Sequence, residues 1–180
     1  MPKKLALALV AALALAAPAL AQGGAAADMD PIAPLVAFAP LAEVALTAST
    51  RFASVVLVSQ PRAEDSGSTR LGTAVLGPWL QVLQELFESD YAQPAGLAPR
   101  PGRERLLVVV LDDPALYASC RRWAGARDTW DGQAFFNPAP PAVFVLDAPV
   151  PDGTSYAARL RPALHAAGHA RLDARAADGA

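Results

Sequence analysis

The chain has 180 residues, with 15 lysines and arginines against 17 acids, two histidines and one cysteine, for a formal charge of −2. That length suits one domain built around a single core. The acidic balance, without a basic run or an RNA- or DNA-binding motif, argues against nucleic acid as a partner, and the single Cys120 excludes an internal disulfide.

Lys3 and Lys4 precede an apolar run from Leu5 to Ala17 and a small-residue site, Pro18-Ala19-Leu20-Ala21. This is the pattern of a signal peptide over residues 1–21, cut after Ala21. The apolar run is too short to span a bilayer, so the mature chain is expected to be secreted or periplasmic, with no stable membrane insertion. Its 13 arginines then face all 17 acids, for a formal charge of −4.

Residues 22–49 read as a flexible or irregular segment. Gln22 to Asp30 is rich in alanine and glycine, and Pro31, Pro34 and Pro40 limit any helix to a short one at Leu41 to Thr47. Arg51 to Ser59 ends in a β-branched apolar run and predicts a strand, followed by a polar loop from Pro61 to Thr69. Leu71 to Tyr91 is the clearest helix: Val75, Leu76, Trp79, Leu80, Leu83, Leu86 and Phe87 recur at helical steps, with Pro78 near the start of its regular part. Leu106 to Leu111 is a continuous apolar run, as a central strand buried on both faces requires. Asp113 and Pro114 supply an N-cap and a first-turn proline for a helix to about Ala124. Gln133 to Phe136 and Ala142 to Asp147 read as a hairpin or a pair of edge strands. Thr154 or Ser155 can cap a final helix running towards Ala176, which Pro162 either kinks or effectively begins. In that helix Leu160, Leu164, Gly168 and Leu172 form an apolar stripe, and Gly168, which costs about 1 kcal/mol there, predicts a close neighbour. The order β-α-β-α-β-β-α predicts an α+β fold in which a mixed sheet packs with helices.

The final helix carries both histidines, His165 and His169, four residues apart in LRPALHAAGHARLD. That spacing projects two imidazoles from one helical face, as two ligands to one zinc ion. In helical zinc peptidases the residue after the first histidine is a glutamate that activates the metal-bound water. Here it is Ala166. Asp173, one turn beyond His169, can act as an outer acceptor that orients that imidazole. The alternative is that the pair is polar surface on an alanine-rich helix.

The RF-initiated strand, the helix ending ELFESDY, the unit LLVVVLDDPALYASCRRWAG, the segment GQAFFNP, the strand AVFVLD and the helix HAAGH together resemble secreted bacterial metallopeptidase-like domains of the gluzincin type, called peptidase-MA-like. The resemblance runs from about Thr50 to Asp173, and it assigns residues 50–180 to one such zincin-like domain, incomplete at its end. It implies that His165 and His169 are zinc ligands. The family's catalytic glutamate falls on Ala166, and its third ligand, an acid on a later helix, has no evident match in the residues after His169. The resemblance thus implies an exported metallopeptidase-like protein that holds zinc weakly, if at all, and is impaired or inactive as an enzyme.

A second class is open: a non-catalytic exported binding or scaffold domain without metal. An extended peptide would then add to an edge strand in a groove beside Ala142 to Asp147, with Trp123, Trp130, Phe135 and Phe136 as lining or as core. Cys120 reads as a small buried residue in a helix. Asp112 with Asp113 reads as a strand end and a cap, and no phosphate loop, nucleophile elbow or CxxC is present.

Overall fold

The computed structural model describes residues 30, 32–49, 52–61, 72–99, 104–126, 133–147 and 156–175. The expected signal peptide, the loop at 62–70, Trp130 and the cap at Thr154 or Ser155 lie outside them.

Three apolar runs become the parallel centre of a mixed sheet: β2 (Val55–Ser59), β3 (Leu106–Leu111) and β5 (Pro141–Leu146). Two short antiparallel strands close the sides, β1 (Thr47–Ser49) against β2 and β4 (Ala134–Pro138) against β5. The order is β1-β2-β3-β5-β4. Helices α2 (Gly72–Phe87) and α4 (Tyr156–Asp173) cover one face, and the short α1 (Ala33–Val36) with α3 (Pro114–Trp123) covers the other. The α+β expectation therefore holds at the level of a mixed sheet with helices.

Both faces being covered explains why the strands lack polar alternation. Val55, Leu57, Val108, Val110, Val143 and Val145 point to α2 and α4, while Val56, Val58, Val109, Leu111 and Phe144 point to the opposite layer. On that second face a run of rings fills the core. Phe135 stacks on Phe144 with centroids 4.8 Å apart, and Phe144 on Phe38 at 5.0 Å. Offset stacks of this kind add to the apolar area they bury.

Phe38 belongs to the segment that the sequence assigned to irregular chain. Residues 32–49 instead pack onto the sheet, with Leu35, Phe38 and Leu41 buried. The expected helix at Leu41 to Thr47 is replaced by a 3₁₀ turn at Ala39–Leu41 and by β1. The prolines that forbid a long helix leave short turns, and these suffice to drop three large side chains into the core.

The hairpin expectation is met by β4 and β5. Asp113 caps α3, accepting from the Ala115 amide at 2.8 Å. Helix α2 begins at Gly72 and passes through Pro78, then ends in a π-helical turn at Glu88–Ala92. The strand AVFVLD corresponds to β5, which lies between β3 and β4 in the sheet. Strands β1 and β4 stand at the two ends of the described sheet. Phe135 is core, and Trp123 leans on Phe38 with centroids 4.4 Å apart while half exposed.

Gly77 marks where α2 comes closest to the sheet. A Cβ there would overlap the Phe52 ring and stand 3.0 Å from Leu57 Cδ1. Gly77→Ala should therefore lower stability by about 1–2 kcal/mol, overpacking outweighing the gain in helix propensity. A denaturant midpoint at or above that of the parent chain would show the contact to be slack.

Candidate functional site

Helix α4 passes beneath β4 and β5 and beside α2, presenting Leu160, Ala163, Ala166, Ala167 and Ala170 to them. The small side chains let the helix come close to the sheet. The predicted stripe differs: Leu164 is half-buried, Gly168 has open space where a Cβ would stand, and Leu172 is exposed. Gly168 therefore has no close neighbour, and the apolar face lies about a third of a turn from where leucines alone would put it. An alanine contributes little to a hydropathy pattern, but at a tight interface it is what fits.

Two arginines fix this rotation. The Arg171 side chain is 2% exposed, and its guanidinium donates to the carbonyls of Glu104 (3.2 Å) and Ser54 (3.0 Å), just before β3 and β2 begin. Gln81 of α2 joins the same place, its side-chain oxygen accepting from Ser54 Oγ at 2.9 Å. Arg175, buried as well, pairs with Glu88 and lies over the Phe87 ring at 5.0 Å. Burial pushes Arg171 down to about 10. The folded chain holds that proton less tightly than the unfolded chain does, so this group opposes folding below about pH 10, and the penalty fades as pH rises towards the ordinary arginine range. Neither arginine stood out in the sequence. The available signal was their place in the Ala163, Ala167, Ala170, Ala174 row, which continues through positions 171 and 175.

With the alanine face inward, His165 and His169 are exposed on the outer side of α4. Their Nε2 atoms stand 3.1 Å apart and their rings meet edge to face, with centroids 4.7 Å apart. That separation suits a hydrogen bond between neutral imidazoles. It is also near the distance of about 3.3 Å between two nitrogens bound to one tetrahedral zinc at about 2.0–2.1 Å each. The residues present thus fit two corners of a zinc shell. Asp173 lies half-buried one turn beyond His169, and among the described residues no group of three or more His, Cys, Asp or Glu side chains could hold a metal ion. Ala166, at the position of the expected base, is 3% exposed and packs in the core.

A cavity of about 760 Å³ lies between α2 and α4, lined by Val75, Trp79, Ala157, Leu160, Arg161, Leu164 and His165. Its walls are apolar, and Arg161 and His165 are its polar residues. Its described lining includes His165, and neither His169 nor a carboxylate is among those described residues. The described walls of the cavity are helical, and of the imidazole pair His165 borders it. Among the described residues the arrangement offers two imidazole nitrogens and an apolar recess.

Compared with protein-family models, curated proteins and solved structures, the chain matches none. No helix among the described residues is long and apolar enough to cross a membrane.

Cys120 is buried on the inner side of α3, where desolvation pushes its thiol up to about 11. A thiol so placed is withheld from nucleophilic chemistry at neutral pH. It should resist alkylation by iodoacetamide in the native chain and react fully in denaturant. Rapid native labelling would show that α3 opens readily.

Proposed function

We infer that the chain is an exported, metallopeptidase-like domain that holds a divalent metal ion at His165 and His169 and does not hydrolyse peptides. The observation that carries this reading is the convergence of two Nε2 atoms to 3.1 Å on one exposed helical face. Zinc bound there would supply a Lewis acid with corners open to water or another donor. The chain's own residues hold the ion and leave those corners accessible.

The absence of hydrolysis follows from the rotation of α4. General-base catalysis contributes about 10²–10⁴ in rate, and it needs a side chain within reach of the proton it takes. Position 166 lies some 100° round the helix from position 165, on the side that the sheet covers. A carboxylate placed there enters the apolar cluster. The element order and the edge strand β4 beside the histidine-bearing helix support the zincin-like assignment.

The alternative is a metal-free binding domain that takes an extended peptide along an edge strand. One observation favours it: β4 is the last strand in the order of the described sheet and lies next to α4.

Tag-free chain should carry zinc that a chelator removes and that His165→Ala or His169→Ala abolishes, as read by elemental analysis. It should cleave no peptide library. Ala166→Glu should lower stability by about 1–3 kcal/mol, the cost of burying a polar group, and should leave hydrolysis undetectable. Zinc-free protein with unchanged stability in chelator would sink the metal reading, and robust cleavage by the glutamate variant would sink the account of the helix setting.

A further inference from the structure

The outer face of α4 carries more than two imidazoles. His165, Gly168, His169 and Leu172 follow at steps of three, one and three residues, which places them on one side of the helix. Both histidines are exposed and Leu172 is 49% exposed. Nothing stands within 4 Å of where a Gly168 Cβ would be. The face is therefore a pair of nitrogen donors with an apolar flank and a bare patch of backbone between them. Helices approach to about 8–10 Å depending on the side chains between them, and a glycine at the crossing permits the near end of that range.

A tetrahedral zinc ion takes four donors. This face supplies two, and no third described side chain joins them. A copy related by a twofold axis presents the same two atoms, and an interface of that symmetry needs only one patch. An antiparallel crossing centred on the pair sets His165 against His169 and brings Arg161 opposite Asp173, cation to anion.

We propose that the partner of this face is a second copy of the chain, joined through one zinc ion shared by His165 and His169 of both copies. The inference rests on the metal-holding reading above and completes its shell. Each copy leaves two corners open, and each fills the two that the other leaves.

The test is sedimentation equilibrium on tag-free chain, stripped by chelator and then titrated with zinc chloride, with bound zinc counted in the same samples. The stripped chain should be monomeric, and its molar mass should double at one zinc per two chains. His165→Ala and His169→Ala should each remain monomeric. Gly168→Leu, which fills open space and improves helix propensity while keeping both imidazoles, should take up zinc and remain monomeric. One zinc per monomer in the parent chain would overturn the shared site and leave the metal reading standing, whereas no zinc uptake would overturn both. A doubling that persists in both histidine variants would overturn the role of the ion. A zinc-linked dimer that tolerates Gly168→Leu would overturn the facing-helix arrangement.

Discussion

Helix α4 is held against the sheet by a face of small side chains and by two buried arginines, and the rest of the molecule's chemistry depends on how that sets its rotation. Alanines at 163, 166, 167 and 170 let the helix approach β4 and β5 closely. They bury little area individually, so packing alone would choose weakly among neighbouring rotations. Arg171 supplies the choice. Its guanidinium reaches two carbonyls ahead of β2 and β3, and turning the helix by one residue would withdraw it and bring another side chain to the sheet.

The direction of the histidines follows from this setting. In a zinc peptidase the two imidazoles and the intervening base must look into one cleft. Here the histidines face outward and position 166 faces the core, so the donor pair and the base position are divided between solvent and interior. The methyl group at Ala166 is then a packing residue, one of the contacts that allow the close approach. The cavity between α2 and α4 borders His165 from the side and offers apolar surface around Arg161. Among the described residues that line it, Arg161 and His165 are the polar side chains in an otherwise apolar wall.

The opposite face of the sheet shows the same reliance on a few well-placed large side chains. Phe38 comes from a proline-punctuated stretch with little regular structure, yet it joins Phe144, Phe135 and Trp123 in one aromatic run. Burying such rings offsets the entropy of ordering a segment built of short turns.

Much of the frame was legible in the sequence because it rests on local signals. Apolar runs gave the three inner strands, helical recurrence gave α2, Asp113 with Pro114 gave the start of α3, and the four-residue spacing gave the convergence of the two imidazoles. Pro31, Pro34 and Pro40 misled in one respect: they rule out long helices, and they say nothing about whether short turns pack. The sequence by itself determined the three inner strands, the three longer helices and that His165 and His169 share a face, since these follow from apolar runs and backbone periodicity. Tertiary structure alone decided which way that face points. Leucines predict a helix's inner side by hydropathy, but at a tight contact shape outweighs hydropathy, and the alanines and Arg171 turned the leucine row aside.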